Sequence, residues 1–266
     1  MKLSVLTYNT LFGGRDGADD RRAQAQIRLI NELKSDIFLM QEAKGFDANG
    51  GAWLYGMEAS IGMRGFLALA PRTGQNVAIF FRAPLRPVSF EADGANFHHV
   101  LATLKAALPD GRTATFIAAH LCPNGVAVRL REAAYLAVHA APGNLTLITG
   151  DFNSASPHDT DPEGFDALPA QHRARYLADD LRTADRSVLA HLEAAGWVDV
   201  GYALGGSNVP TVPTAGFTDT EFAVMRCDYV LASKSLAAQA TSYKVIRNPA
   251  TDMASDHYPV LAEFTL

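Results

Sequence analysis

The sequence predicts an α/β fold in which β-sheets form the interior and helices cover them. Two observations favour this class. Short apolar runs such as VAIFF and LTLIT, rich in β-branched or aromatic residues, alternate along the chain with longer segments of helical periodicity. Hydrophobic residues make up 48% of the 266 residues, which is enough for a substantial core. Because no internal repeat or linker interrupts the pattern, we expect an α/β sandwich formed by one domain over residues 1–266.

The first elements are predicted as a strand, a helix and a second strand. Residues 3–8 alternate like a strand. Residues 21–33 should form a helix, because Ile27, Ile30 and Leu33 recur three apart and aspartates precede the segment and can cap it. The run DIFLMQ at residues 36–41 indicates a short buried strand.

The middle of the chain is predicted to be mainly β. Residues 77–81, 100–108 and 113–118 have the apolar character of strands. The last two are joined by Pro109-Asp110-Gly111, a turn in which proline presets one φ and glycine accepts a positive one.

The second half alternates between the two types of element. A helix is predicted at residues 126–139, a buried strand at 145–149, and a helix at about 185–194 that ends before Gly196. Between them, residues 156–186 are rich in Asp, Pro, Arg and Ala, which predicts a surface excursion with a helical part. Residues 205–216 should form a loop, and the last strands are predicted at 229–231 and 260–264.

Composition limits the classes of function. The net charge is −5, which counts against a protein that grips nucleic acid nonspecifically through a basic face. The two cysteines, Cys122 and Cys227, do not make a disulfide framework. No run of about 18 apolar residues could span a membrane. We therefore expect a cytoplasmic monomer without membrane insertion.

Polar residues follow or precede the predicted strands at their ends. Each alone has an ordinary structural explanation as a turn, a cap or a buried side chain, but their shared position suggests one active site, since rigid strand ends hold functional groups well. The candidates are Asn9, Glu42, His120, Asp151, Asn153, Asp228, Asp256 and His257.

This set of side chains has a chemistry of its own. It holds four carboxylates, two carboxamides and two imidazoles, and carboxylate and amide oxygens suit a hard cation such as Mg²⁺ or Mn²⁺. Such a cation polarises phosphoryl oxygens, while an imidazole and a spare carboxylate can manage an attacking water. The set therefore predicts hydrolysis of a phosphate ester.

The same residues lie in motifs that resemble the endonuclease/exonuclease/phosphatase superfamily of deoxyribonuclease-like phosphoesterases. The motifs occur in the family order from residue 7 to residue 260, and GDFN and SDH are the more specific ones. They are TYN (7–9), QE (41–42), HL (120–121), GDFN (150–153), RCDYVL (226–231) and SDHYPV (255–260). The resemblance implies a four-layer α-β-β-α sandwich, with two mixed, largely antiparallel sheets packed face to face.

The resemblance also implies roles for individual residues. Glu42 is the expected principal metal ligand, supported by Asn9 and Asp256. His257 is expected to contact the phosphate as base or electrostatic stabiliser, oriented by Asp228.

Other positions are expected to handle the water and the substrate. Asp151 and Asn153 would position the water and hold phosphoryl oxygens, and His120 would donate a proton to the leaving group. Arg226, with Asn153 and His257, is a candidate for substrate binding. The implied reaction is in-line attack by water without a covalent intermediate.

Three functions remain open. The first is a metal-dependent phosphodiesterase or nuclease acting on DNA or RNA. The second is a phosphatase or phosphodiesterase for a small molecule such as a nucleotide, an inositol phosphate or a biosynthetic intermediate. The Gly-rich stretch after Glu42 and the acidic residues 154–169 favour it, because acidic groups facing the site would repel a long polyanion. The third is a catalytically idle binding protein.

Overall fold

The computed structural model describes residues 1–218 and 221–266, which form two six-stranded β-sheets and their covering helices. The strands of these described residues are β1 (Lys2–Asn9), β2 (Ile37–Gln41), β3 (Arg64–Ala68), β4 (Val77–Phe81), β5 (Arg86–Asp93), β6 (Leu101–Ala107), β7 (Thr113–His120), β8 (Leu145–Asp151), β9 (Val198–Asp199), β10 (Asp228–Ala232), β11 (Ala240–Val245) and β12 (Val260–Thr265). The α-helices are α1 (Arg21–Leu33), α2 (Ala48–Ile61), α3 (Val126–Ala137), α4 (Ala170–Arg173), α5 (Ser187–Ala194), α6 (Val200–Ala203), α7 (Lys234–Ala237) and α8 (Pro249–Asp252).

The two sheets share one pattern of strand directions. The first has the order β11-β12-β1-β2-β4-β3 and the second the order β5-β6-β7-β8-β10-β9. Each contains one parallel pair, β1 with β2 and β7 with β8, among antiparallel neighbours. This confirms the prediction of two mixed, largely antiparallel sheets.

Three hydrophobic cores separate four layers. The central core lies between the sheets and joins residues such as Val5 and Ile79 of the first sheet to Leu104 and Phe116 of the second. A second core packs α1 and α2 against the outer face of the first sheet. A third packs α3 and α5 against the outer face of the second sheet. The α-β-β-α sandwich expected from the resemblance is confirmed.

The predicted elements agree with the structure where the apolar pattern is strong. Helix α1 has the predicted bounds, and β4 does as well. The elements that were missed include all four edge strands, β3, β5, β9 and β11, together with helix α2 and the short helices α6, α7 and α8. The residues of β5 and β11 are mostly exposed or half-buried. Helix α2 begins with left-handed Asn49, Gly50 and Gly51, so its sequence resembles a glycine-rich loop.

The acidic excursion has a small hydrophobic core of its own. Its Phe165 and Tyr176 pack with Val212 and Met225 from the segment that precedes β10. Its regular structure is limited to a 3-10 turn (Phe165–Ala167) and the short helix α4. The excursion is therefore fixed against the end of the second sheet rather than extended into solvent.

The topology brings several strand ends to one edge. The parallel pairs align Asn9 with Gln41 and His120 with Asp151, and β10 starts beside the end of β8, with Asp228 opposite Asp151. Gly150 makes the close approach there possible: at its φ of 144°, a Cβ would lie 1.9 Å from the Ala119 carbonyl oxygen.

Two further features bear on the sequence predictions. Within the described residues, no helix combines the length and the apolar character needed to cross a bilayer. Cys122 and Cys227 are buried free thiols, in agreement with the prediction that they form no disulfide framework.

Candidate active site

The structure brings the eight predicted strand-end residues to the same edge of the sandwich. Asn9, Glu42, Asp151, Asp228 and His257 are linked by contacts of 3.6 Å or less. Asp256 lies close enough for its charge to raise the pKa of Glu42, and we call these six residues the histidine cluster. His120 and Asn153 adjoin it through Asp151.

His257 lies between two buried carboxylates. Its Nδ1 is 2.9 Å from Asp228 Oδ2, and its Nε2 is 3.6 Å from Asp151 Oδ2. Burial lowers the pKa of His257, but the negative charges of Asp228 and Asp151 outweigh it and hold the pKa well above its usual value. The imidazole is thus held in its protonated form and in one orientation.

Asp151 is the buried carboxylate that connects the two sheets. Its Oδ2 accepts a hydrogen bond from Asn9 Nδ2 at 3.1 Å, and its Oδ1 accepts one from the Asn153 amide at 2.8 Å. Burial raises the pKa of Asp151, while His257 and these donors act in the opposite direction. Asn153 has a left-handed backbone (φ 48°) and donates through Nδ2 to the Leu121 carbonyl at 3.1 Å.

Glu42 is half-buried and lies at the more open side of the cluster. Its backbone is left-handed (φ 60°), Asn9 Nδ2 donates to its Oε1 at 3.3 Å, and the Phe12 amide donates to its Oε2 at 3.1 Å. Burial and the charge of Asp256 together raise the pKa of Glu42 to about 7. This carboxylate therefore carries a negative charge at some energetic cost.

Asn9 presents its Nδ2 rather than its Oδ1 to the cluster. Its Nδ2 faces Glu42, Asp151 and the His257 Nε2, while its Oδ1 accepts from the Leu11 amide at 3.2 Å. In this arrangement Asn9 joins the carboxylates as a hydrogen-bond donor.

Ser255 is a supporting residue that the sequence prediction did not single out. Its hydroxyl donates to the Asn9 carbonyl at 2.7 Å and lies 3.3 Å from both Asp256 Oδ1 and the His257 amide. The residue stands in the SDHYPV motif, so the sequence did carry a signal for it. It links the loop before β12 to the end of β1.

His120 is buried against a second histidine. Its Nε2 is 3.5 Å from Asp151 Oδ2, and its ring lies 4.3 Å from that of His99, whose Nδ1 is 2.8 Å from the Thr73 hydroxyl. Burial and the nearby charge of His257 lower the pKa of His120 to about 3. His120 is consequently neutral over the physiological range and can supply only the N–H of a neutral ring.

Four side chains hold the turn that follows His120. Asn153 binds the Leu121 carbonyl, and Glu132 accepts from the Cys122 amide at 2.8 Å. Arg129 donates to the Cys122 carbonyl at 3.0 Å, and Arg175 of the excursion donates to the Pro123 carbonyl at 2.7 Å. No short motif marks the last three of these residues in the sequence, because they come from a helix and from the irregular excursion.

Arg226 does not join the histidine cluster. Its side chain is fully buried and forms ion pairs with Asp159 at 2.9 Å and Asp199 at 2.7 Å, under the face of the Tyr229 ring. We call Arg226, Asp159 and Asp199 the arginine cluster. A guanidinium without exposed surface cannot reach a ligand, so the predicted substrate-binding role of Arg226 does not fit the structure.

Three other side chains lie near the site or were considered for it. The Thr211 hydroxyl accepts from the Asp228 amide at 3.1 Å, and the Phe222 ring packs edge-on against His257 at 5.2 Å. His158, the histidine that follows GDFN, pairs with Glu193 at 2.9 Å and stacks on Tyr202, which indicates a structural role.

The donor set fits a divalent cation. In the described parts of the chain, no Lys or Arg lies within 4.0 Å of the carboxylates of Glu42, Asp151, Asp228 or Asp256. Ligand atoms of Asp151, Asp228 and His257 lie within 4.8 Å of one another, but the His257–Asp228 hydrogen bond already occupies two of them. Glu42 and Asp256 offer oxygens at the more exposed side, where a hard cation would relieve their repulsion.

Comparison with known proteins identifies a matching family model. Residues 6–257 match the model of the Endonuclease/Exonuclease/phosphatase family. A comparison with curated proteins found no significant match.

Two solved structures illustrate the range of similar folds. An AP endonuclease from Archaeoglobus fulgidus superposes with a TM-score of 0.71 at 21% identity, over 99% of this chain and 100% of that chain. A mannosyl-6-phosphatase from Bacteroides thetaiotaomicron has a TM-score of 0.69 at 16% identity, over 99% of this chain and 100% of its own. At such low identities these likenesses show a shared fold.

Proposed function

Because the chain belongs to the endonuclease/exonuclease/phosphatase family, whose members are hydrolytic phosphoesterases, we propose that it hydrolyses phosphate esters with a divalent cation, Mg²⁺ or Mn²⁺. The observation that carries the proposal is the histidine cluster, in which four carboxylates surround one imidazole without an ion pair to Lys or Arg among the described residues. We also propose that residues 1–266 make up a single domain of this family.

Glu42 and Asp256 are the proposed cation ligands. They stand on the more exposed side of the cluster, and Asn9 fixes Glu42 relative to Asp151. Asn9 could add its Oδ1 to the ligand set, since a carbonyl oxygen that already accepts one hydrogen bond keeps a second lone pair. When bound, the cation would polarise a phosphoryl oxygen and stabilise the leaving oxyanion.

His257 and Asp151 are proposed to perform the proton and charge chemistry. The protonated His257, oriented by Asp228, faces the reaction as an electrostatic partner of the phosphoryl group. Asp151, whose pKa burial raises, accepts a proton from the attacking water more readily than an exposed aspartate would. The backbone amide of Asn153 positions Asp151, and Asn153 can also bind a phosphoryl oxygen.

His120 takes a narrower role in this proposal than the sequence suggested. A ring whose pKa is about 3 does not donate a proton as an imidazolium near neutral pH. It can still donate a hydrogen bond to the leaving group while remaining neutral.

The proposed substrate is a phosphodiester, as in a nuclease or phosphodiesterase. The acidity of the excursion is a weaker argument against a polyanionic substrate than the sequence suggested. Its Asp159 and Asp161 pair with Arg226 and Arg186. The net charge of −5 nevertheless favours a second candidate, hydrolysis of a small phosphorylated molecule, because nucleic-acid binding usually relies on a basic face.

A substrate panel with Mg²⁺, Mn²⁺ or chelator tests the proposal. It contains bis-p-nitrophenyl phosphate, plasmid DNA, RNA, single-stranded DNA and small phosphomonoesters. We expect metal-dependent turnover of the diester, with cleavage of polynucleotides if the enzyme is a nuclease. Failure to hydrolyse any member with either metal would refute the proposed function.

A further inference from the structure

The segment after β1 has an unusual backbone. Leu11, Phe12, Gly13 and Gly14 have successive φ values of 47°, 58°, 69° and 72°. Glycine adopts this left-handed region freely, whereas Leu and Phe do so at a cost in strain. Strained non-glycine residues concentrate at functional sites, where the surrounding structure holds them in place. Two of them in succession beside Glu42 call for a functional explanation.

Hydrogen bonds fix this segment to the histidine cluster. The Leu11 amide donates to Asn9 Oδ1 at 3.2 Å, and the Phe12 amide donates to Glu42 Oε2 at 3.1 Å. Arg22 holds the other side by donating to the Leu11 carbonyl at 3.0 Å. The position of the Phe12 ring is therefore set relative to the carboxylate that we propose as the principal cation ligand.

The strained backbone presents an aromatic ring to solvent. Phe12 is 40% exposed, whereas Phe46, which packs beneath the same segment, is 2% exposed. The ammonium group of Lys44 lies 4.6 Å from the centre of the Phe12 ring, a cation–π contact that orients the ring. The segment thus adopts a strained backbone although the Phe12 ring remains exposed.

We propose that Phe12 binds a planar aromatic group of the substrate, attached to the phosphate that the histidine cluster hydrolyses. The inference rests on the proposed function and narrows its substrate class to aryl or nucleoside phosphoesters. The backbone of Phe12 is hydrogen-bonded to Glu42, so its exposed ring is placed to contact the organic group of a phosphoester bound there. Stacking between flat rings favours an aromatic group over an aliphatic one. No other exposed large hydrophobic residue in the described chain makes a hydrogen bond to a member of the cluster through its amide.

Binding measurements test this specificity without requiring turnover. Affinities for phenyl phosphate and adenosine 5′-monophosphate are compared with those for methyl phosphate and ribose 5-phosphate by isothermal titration calorimetry. For the wild type we expect about ten-fold tighter binding of at least one aromatic ligand than of its non-aromatic match, as stacking of one base provides. If the aromatic ligand binds more tightly in both pairs, Phe12 accepts aromatic groups in general. If it does so in only one pair, the preferred group is the phenyl ring or the adenine base of that pair.

Variants at position 12 separate the ring from its backbone. Phe12→Ala should abolish the preference, and Phe12→Trp should keep it. Phe12→Gly should also abolish it while leaving the melting temperature equal or higher, because glycine relieves the left-handed strain. The control Tyr135→Ala removes an aromatic ring of similar exposure (44%) on α3 and should change neither property.

The proposed role of Phe12 and the proposed function can be refuted separately. A wild type that shows no aromatic preference, or a Phe12→Ala variant that retains it, overturns the inference even if bis-p-nitrophenyl phosphate is hydrolysed. A protein that binds aromatic phosphates through Phe12 but hydrolyses no phosphoester refutes the proposed function and leaves the binding surface standing.

Discussion

Two clusters of carboxylates meet at the start of β10, and their charges are balanced differently. Arg226 and Asp228 are two residues apart, yet Arg226 joins Asp159 and Asp199, whereas Asp228 joins the histidine cluster. The arginine cluster pairs two carboxylates with a guanidinium that never loses its charge. The histidine cluster collects four carboxylates around one titratable imidazole.

The difference distinguishes a structural cluster from the cluster that we propose as the active site. In the arginine cluster every charge has a fixed partner within the chain, so nothing further is required. In the histidine cluster, burial and the excess negative charge together raise carboxylate pKa values, including that of Glu42 to about 7. A positive charge from outside the chain would relieve this cost. Perturbed ionisation of this kind is typical of active sites.

The largest expected effect is the loss of activity when a cation ligand is removed. Glu42→Gln keeps the shape and the hydrogen bond from the Phe12 amide but removes a negative charge. We expect metal-dependent hydrolysis of bis-p-nitrophenyl phosphate to fall to background, as it should for the wild type in chelator. Glu263→Gln, which alters a carboxylate paired with Lys2 near the surface, is the control and should keep full activity. Undiminished turnover of the chelated wild type would contradict the proposed cation.

The second-largest expected effect is the fall in kcat when the His257 imidazole is removed. His257→Ala should lower kcat by about 10²–10⁴ at saturating metal, the usual contribution of a positioned acid–base group. Asp228→Asn should act through His257, so the double variant should be little slower than His257→Ala alone. Steady-state kinetics at several metal concentrations measure both. Full additivity of the two losses would show that Asp228 acts independently.

Arg226→Met, in contrast to the variants of the histidine cluster, should affect stability rather than catalysis. It leaves Asp159 and Asp199 without their partner, and breaking a buried ion pair from one side costs about 3–5 kcal/mol. We expect urea unfolding to show this loss while kcat of the folded protein is retained. Arg112→Met, at a surface pair with Asp110, is the control and should change neither quantity measurably. An Arg226→Met variant with normal stability but low kcat would indicate that Arg226 does belong to the active site.

The smallest effect is the pH dependence of stability without metal. The pKa of Glu42 in the folded protein is about 7, above the ordinary value of 4.5, so its contribution to stability is fully present below pH 4.5 and is lost as pH rises through 7. Glu42→Gln should therefore raise the free energy of unfolding at pH 8 by about 2 kcal/mol, allowing for partial exposure, and leave it unchanged at pH 4.

Urea titrations of the wild type and of Glu42→Gln in chelator measure this difference. Adding Mn²⁺ at pH 8 should stabilise the wild type more than the variant. A variant that is less stable than the wild type at pH 8 would contradict the raised pKa.

The sequence predicted the parts of the molecule that depend on buried strands. The motif residues at the ends of β1, β2, β7 and β8 came together because parallel pairing brings those ends to one edge. Edge strands such as β5 were missed because one side of the strand faces solvent and its residues carry little apolar signal.

The charge partners could not be predicted from spacing. Arg226 lies in the same motif as Asp228, but it precedes β10, which begins at Asp228, so no strand periodicity relates the two side chains. The role of Phe12 depends on a backbone conformation that the sequence TLFGG does not specify by itself. Both features appear only when long-range contacts are known.

The contact between Asn9 and His257 has a consequence for biosynthesis. The two residues are 248 positions apart, and β1 takes its place in the sheet between β2 and β12. A ribosome-bound chain that ends before residue 256 has three of the cluster's four carboxylates but neither the imidazole nor β12, the strand that pairs with β1. Such long-range pairing forms late in folding. The histidine cluster therefore assembles only after β12 has been synthesised and has paired with β1.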